Sequence, residues 1–361
     1  MKEKEKQLFK ALCKFKDKFT DPSLIEFATP AVLGHLFFNR MHGVAYDVLK
    51  KNGLLGKVNR EFRNSLGAAY DQNVQKNDSF KKCIVMLSDI LSPCTCKVAM
   101  LKGAYLCAHY PDGYRTSNDV DLLVLPKDVT AIGNMLSSAG FKQGNVRSGE
   151  FIPATRQEII ESKMMRGETI PYIKEVNLPF MKFLEVDINF SFDYKNGTED
   201  TLSDMLSGVC IKNEKGLSIP TLDDTDFFIH LCAHLYKEAT TLPWIEMHRD
   251  MTLYKYCDIY MLLSEMTDAE IQRIFARATE LDMEKLCAYT VLETMGLFDM
   301  ENPFAYSASH VVLEDDPDFC LRVVSPKDKK VLKYQTTDTT ERFFMEARDR
   351  ALKEVDKNEM P

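Results

Sequence analysis

Apolar positions in the first ninety residues recur three and four apart, the spacing that lines one face of a helix. Leu8, Leu12, Phe15 and Phe19 predict one helix, and segments 30–52 and 57–92 continue the period with a break near Gly53. Ser92-Pro93 closes this region, because a residue before proline is pushed out of helical geometry. From residue 96 the runs shorten. Lys97–Leu101 predicts a strand, Lys102-Gly103 opens a short helix to Tyr110, and Pro111-Asp112-Gly113 is a turn. Asp119–Leu125 predicts a second strand, and a helix over 127–139 ends at Gly140, a favourable C-cap residue. Residues 141–180 read as irregular with β-like pieces. In 183–190, Leu184, Val186, Ile188 and Phe190 alternate with Glu185, Asp187 and Asn189, as in a strand with one buried and one polar face.

Helical spacing returns beyond 220. Helices are expected over 224–240, 244–263 and 283–297, with another opened by the capping box Thr267-Asp268-Ala269-Glu270. Residues 301–340 have no clear period, and 343–355 predicts a charged terminal helix. The class is α+β, a small mixed sheet between helical regions. The expected divisions are 1–93, 94–220, 221–300 and a tail over 301–361.

The 361 residues are 45% hydrophobic and 28% charged, ordinary for a soluble globular protein. That excludes disordered, collagen-like and coiled-coil chains. No run approaches the ~20 apolar residues of a membrane helix, so no membrane partner is expected. The opening MKEKEKQLFKALCKF lacks the apolar core of a secretory signal. Ten cysteines are too few for a disulfide scaffold. Cys94-Thr95-Cys96 lacks the usual zinc spacing and a partner pair. These features point to a reducing, cytoplasmic location, where the formal sequon Asn196-Gly197-Thr198 stays unused.

The net charge of −8 conceals an asymmetry. Residues 1–95 carry 16 basic and 10 acidic residues, a net of +6, and the remainder carries 30 and 44, a net of −14. Lys2, Lys6, Lys10, Lys14 and Lys18 recur every four residues. The stripe is either a solvated face or a surface for an anionic partner.

The chemistry lies in three segments. Asp119 and Asp121 stand two apart on a strand, so their carboxylates share a face. Their repulsion is relieved by a divalent cation, and Mg²⁺ or Mn²⁺ takes such oxygen ligands. Asp187 on a like strand adds a third carboxylate if the strands pair, with Glu185 as the alternative. Three carboxylates suffice for one or two metals, and two would clamp an in-line phosphoryl displacement. Gly103 permits close backbone approach to a phosphate at a helix N-terminus. Lys102, Arg115 and Ser117 can hold triphosphate oxygens. The same residues also have plainer readings, as structural ion pairs or turn residues. His230 and His234 have metal-ligand spacing on a helix, but no Glu follows His230, which argues against metallopeptidase chemistry.

Lys102-Gly103, Arg115-x-Ser117-x-Asp119-x-Asp121 and the later Asp187 together resemble the DNA polymerase β-like nucleotidyltransferase superfamily. The closer similarity is to its uncharacterised bacterial nucleotidyltransferases, over about residues 80–300. Abortive-infection nucleotidyltransferase toxins look similar. The resemblance implies a nucleotidyltransferase core, with Asp119, Asp121 and Asp187 as catalytic metal ligands and an NTP as donor. It also implies that Lys102, Gly103, Arg115 and Ser117 bind the nucleotide. His234 and Lys255 become further nucleotide-binding candidates, and Asp258 has a similar status, because a helix in that place lines the cleft in the resembled group. Ala104 stands where the superfamily often has Ser, so Ser117 is the candidate substitute hydroxyl. The implied reaction moves an NMP to an acceptor hydroxyl on a small molecule, a protein or tRNA, releasing pyrophosphate. Two alternatives stand beside it. One is a toxin or defence protein modifying tRNA by the same chemistry, and the other is an inactive nucleotide-binding partner module.

Overall fold

The computed structural model describes residues 1–165, 167–191 and 199–355; the sequon at Asn196 lies outside them. Four helices come first: α1 (Glu3–Cys13), α2 (Pro30–Phe38), α3 (His42–Lys51) and α4 (Arg60–Leu91). Then follow β1 (Ala99–Met100), α5 (Gly103–His109), β2 (Asp119–Leu123), α6 (Val129–Ser138), β3 (Lys142–Arg147) and β4 (Glu150–Pro153). Next are α7 (Arg156–Met165), β5 (Tyr172–Leu178), β6 (Met181–Asn189), α8 (Glu199–Ser207) and the hairpin β7 (Cys210–Glu214) and β8 (Leu217–Thr221). The helices α9 (Asp224–Ala239), α10 (Leu242–Glu246), α11 (Leu253–Glu265), α12 (Asp268–Glu280), α13 (Glu284–Phe298) and α14 (Pro303–Val312) succeed them. Last are β9 (Arg322–Ser325), β10 (Lys330–Tyr334), α15 (Thr339–Phe344) and β11 (Leu352–Glu354). The protein is α+β, with a six-stranded mixed sheet in mid-chain and helical regions before and after it in sequence. No helix among the described residues is long and apolar enough to cross a membrane.

Contacts divide the chain into two compact units, Gly67–Phe227 and Met1–Leu66 with Phe228–Pro361. The sheet belongs to the first, in the order β1-β2-β6-β5-β3-β4. β2 and β6 run parallel, and the other neighbours are antiparallel. The alternation read in 183–190 sorts its residues as expected as far as Asn189, and Phe190 is only partly buried. Leu184, Val186 and Ile188 are fully buried, while Glu185, Asp187 and Asn189 keep partial solvent contact. The apolar face packs with Phe80, Ile84 and Leu87 of α4, Cys107 and Ala108 of α5, and Ile132 and Leu136 of α6. Each fully buried Leu or Ile contributes about 1.5–3 kcal/mol.

In the other unit, Phe9 of α1 stacks on Phe343 with centroids 5.8 Å apart and meets His35 of α2 edge-on. Two ion pairs are buried there. Arg342 Nη2 donates to Glu293 Oε1 at 2.5 Å, and Arg348 donates to both Asp250 oxygens at 2.7 Å. The expected capping box opens α12, with the Glu270 carboxylate accepting the Thr267 N–H at 2.8 Å.

The structure corrects four expectations. The first helix stops at Cys13 rather than running to Phe19. Lys10 and Lys14 both clasp Asp299, at 2.6 and 2.7 Å, and Lys16 pairs with Glu265 at 2.5 Å. The helix expected over 244–263 is two, α10 and α11. Between them His248 adopts φ +55° and Asp250 turns inward to Arg348. Residues 141–180 hold β3, β4, α7 and β5, too short and polar to show a period. The charged terminal helix is absent: α15 ends at Phe344, and Arg342 and Arg348 are buried in ion pairs.

Candidate active site

The site begins on the long helix α4. Asn73 and Asn77, four residues apart, occupy buried positions on it. Asn73 Nδ2 donates to Gly113 O at 3.0 Å, Asn77 Nδ2 donates to Arg115 O at 2.6 Å, and Asn77 Oδ1 accepts the Gly113 N–H at 2.8 Å. Buried amides must be satisfied, and here they fix the loop that delivers Arg115, Ser117 and Asp119. Gly113 is required in that loop by φ +84° and by the Tyr70 ring, 2.7 Å from where a Cβ would lie.

β2 and β6 then set the carboxylates. Their parallel register places Asp119 across from Glu185 and Asp121 across from Asp187. Neighbouring strands lie about 4.8 Å apart, so the acidic side chains share one sheet face. The bridge between Glu168 and Asn189 brings a further carboxylate to this end of β6. Asn189 Nδ2 donates to Asp121 Oδ1 at 3.4 Å, and Asn118 Nδ2 donates to Glu185 at 3.5 Å.

The electrostatics follow from this crowding. Burial, then the negative charges of Asp121, Asp119 and Glu168, push Asp187 well above the usual carboxylate range, against the pull of Lys102. Burial and Asp119 raise Glu185 as well. Burial also works to raise Asp119, but the Ser117 hydroxyl, Arg115 and Lys102 outweigh it and hold Asp119 low. Asp119 is crowded by protein while keeping solvent access. One cluster thus contains a carboxylate held ionised and another that favours its proton.

The basic and hydroxyl groups arrive from the β1–α5 turn and the following loop. Lys102 Nζ lies 3.3 Å from Asp121 Oδ1. The Lys102 backbone sits at φ +43°, ψ −112°, a conformation that costs a side-chain-bearing residue roughly 1–3 kcal/mol. Gly103 starts α5, and a Cβ there would meet Ser117 Oγ at 2.8 Å. Ser117 is buried, and its hydroxyl donates a short bond to the Asp119 carboxylate. Arg115 Nη1 donates to Thr116 O at 2.7 Å.

Lys102, Gly103, Arg115, Ser117, Asp119, Asp121 and Asp187 all belong to the sheet-bearing unit, whereas His234 and Lys255 belong to the other unit. There buried Glu238 joins them: Lys255 Nζ bonds Glu238 Oε2, and His234 Nε2 lies 3.4 Å from Oε1. The Lys255 ammonium also sits 5.5 Å from the Trp244 ring centroid. Asp258, on the same helix as Lys255, is buried. Sequence reasoning did not single out Glu168, Glu238, Asn73 or Asn77. Only the asparagines left a signal, as two amides four apart on the helix.

A mixed sheet thus gathers carboxylates on one face, with a lysine and a helix start beside them. Residues 29–299 match the model of a family described as uncharacterised nucleotidyltransferase, and the chain belongs to that family. No curated protein matches it. Among the described residues no group of three or more His, Cys, Asp or Glu forms a ready metal-binding set. The donor chemistry still suits a hard cation, since adjacent strands carry carboxylates at paired positions.

Proposed function

We propose that the protein transfers a nucleoside monophosphate from an NTP to an acceptor hydroxyl and releases pyrophosphate. The parallel register that sets Asp121 across from Asp187, in a chain of this family, carries the reading. Asp119, Asp121 and Asp187 would hold Mg²⁺ or Mn²⁺, which when bound supplies positive charge against the triphosphate. Lys102 and Arg115 bind triphosphate oxygens, and the N–H groups at the start of α5 face the phosphate beside Gly103. Ser117 fixes the Asp119 carboxylate and serves as the hydroxyl absent at Ala104. The acceptor oxygen bonds to the α-phosphorus, the bond from that phosphorus to the pyrophosphate oxygen breaks, and the acceptor proton passes to the Asp187 carboxylate.

An RNA acceptor draws little support from the lysine stripe, because Lys10 and Lys14 are tied to Asp299, whose one negative charge offsets half of theirs. A small-molecule or protein hydroxyl needs no basic surface. The test is incubation with each labelled NTP, Mg²⁺ or Mn²⁺ and a cell extract. Label should enter one class of acceptor and vanish with Asp119→Ala/Asp121→Ala. If wild type and variant behave alike, the protein is not this catalyst. NTP binding by calorimetry without turnover would instead identify an inactive nucleotide-binding module.

A further inference from the structure

Cys94-Thr95-Cys96 has no part in nucleotidyl transfer as read above, and it lies in the link between α4 and β1. Six of the ten cysteines are buried, which leaves Cys94, Cys96, Cys210 and Cys320 with partial exposure. Cys94 and Cys96 are the neighbours among those four. The chain folds back at this point. The Cys94 N–H donates to Leu91 O at 2.9 Å, and the Cys96 N–H donates to Cys94 Sγ at 3.2 Å. Two residues of chain span at most about 7 Å, and a disulfide closes between Cα atoms about 4.4–6.8 Å apart. The Cys96 thiol itself lies within hydrogen-bonding reach of the Cys94 sulfur and of the Asp128 carboxylate.

The two thiols are not equivalent. The Cys94 sulfur accepts from the Cys96 N–H. The same sulfur, then burial, then Asp128 push the Cys96 thiol up to about 12. Cys96 therefore keeps its proton at neutral pH, and Cys94 is the thiol placed to attack first, because the thiolate is the nucleophile. Cys232 and Cys287 also adjoin, but both are fully buried and out of an oxidant's reach. Among the described residues Cys94, Cys96 and Asp128 do not form a set able to hold a metal ion. An accessible thiol beside a resolving one is the usual plan of a redox-sensitive site.

We propose that Cys94 and Cys96 form a peroxide-responsive dithiol that closes to an internal disulfide. The Cys94 thiolate attacks one oxygen of a hydroperoxide. Its sulfur gives up two electrons and becomes a sulfenic acid, the O–O bond breaks, and the leaving oxygen takes up the proton that Cys94 had lost to solvent. The Cys96 sulfur then bonds to the Cys94 sulfur, and its thiol proton leaves with the hydroxyl as water. A small dithiol reverses the closure by exchange.

The reduced full chain is treated with a small excess of hydrogen peroxide in EDTA, alkylated, and cleaved after Leu91 and Lys97, which isolates the two cysteines on one peptide. Wild type should lose both alkylation sites there together with two hydrogens in mass, and dithiothreitol should restore them. With Cys96→Ser the reaction should stop at a Cys94 sulfenic acid, trapped by dimedone. With Cys94→Ser, trapping at Cys96 should be at least tenfold slower, and adding Asp128→Asn should speed it severalfold. Persistence of both alkylation sites in wild type, two oxygens gained on one sulfur, or disulfide-linked dimers in place of the internal bond would overturn the proposal. Equal trapping at the two positions would overturn the order of attack.

Discussion

Gly103 and Ser117 compete for one space: a Cβ added to Gly103 would lie 2.9 Å from Ser117 Cβ and 2.8 Å from its Oγ. The glycine does more than leave room for a phosphate. It lets Ser117 settle against the start of α5 and reach Asp119. Gly103→Ala should therefore displace Ser117. Overpacking of this kind costs about 1–3 kcal/mol, and nucleotidyl transfer should fall tenfold or more. Ser117→Gly in the same chain should restore part of the melting temperature, a coupling that a double-mutant cycle isolates. Simple additivity of the two changes would mean the residues do not contend.

Asp187 is expected to be a stability liability in the metal-free protein. Burial and three neighbouring carboxylates raise its proton affinity in the fold. A group raised in this way favours the fold most below its unfolded value, and that contribution is lost as pH rises through the folded value. At neutral pH, Asp187→Asn should thus raise the melting temperature by a few degrees in EDTA. Added Mg²⁺ should stabilise wild type with rising concentration and the variant much less. A variant that melts lower than wild type in EDTA would show that the repulsion is not what the carboxylate experiences.

Lys102 separates strain from charge. Glycine adopts φ +43°, ψ −112° without the steric conflict that lysine bears. Lys102→Gly should keep or raise the melting temperature while the KM for NTP rises at least tenfold. Lys102→Ala loses the same ammonium and keeps the strain, so it should melt below Lys102→Gly. Equal melting temperatures for the two variants would remove strain from the account.

The candidate site was legible where chemistry and period coincide. Asp119, Asp121 and Asp187 sit on strands whose apolar positions alternate with them, so the shared face of Asp119 and Asp121 followed from period two, whereas the register that sets Asp121 across from Asp187 had no signal in either strand. The turn at Lys102-Gly103 was legible because glycine punctuates a strand end. Glu168 was not, because it lies in a stretch where short polar strands show no period. Nor was the fate of 343–355. Its charged residues read as a terminal helix, yet Arg348, like Arg342 just before the segment, goes inward, to partners 98 and 49 residues away respectively. A buried ion pair is written in two distant places, and neither half differs from a surface residue. The same blindness affected the lysine stripe, whose acid Asp299 lies 289 residues from Lys10.

The Arg348–Asp250 pair should dominate the stability of the C-terminal strands. Arg348 gives two bonds of 2.7 Å to Asp250 and further bonds to Phe343 O and Met345 O, with both partners buried. Removing one partner leaves a buried charge alone, at about 3–5 kcal/mol. Arg348→Met should lower the urea midpoint strongly. Arg348→Met/Asp250→Met should recover much of that loss. If the double variant is no better than the single one, the penalty comes from lost packing rather than from the stranded carboxylate.

Acid should loosen α1 before it unfolds the sheet. Asp299 caps α13 in a left-handed conformation, and two α1 lysines converge on it. Partial burial works to raise its proton affinity, but hydrogen bonds from Lys10 and Lys14 prevail and hold it below the ordinary value of 3.8. A lowered carboxylate contributes stability above its unfolded value, and the contribution is lost as pH falls through the folded one. Asp299 is more than half exposed, so solvent and salt screen the effect and its size is modest. Hydrogen exchange of the α1 amides, corrected for intrinsic rates, should accelerate as pH falls below about 3.8, and more so in low salt. In Asp299→Asn that acid step should vanish, with α1 already less protected at neutral pH. An unchanged step in the variant would mean that other carboxylates anchor the helix.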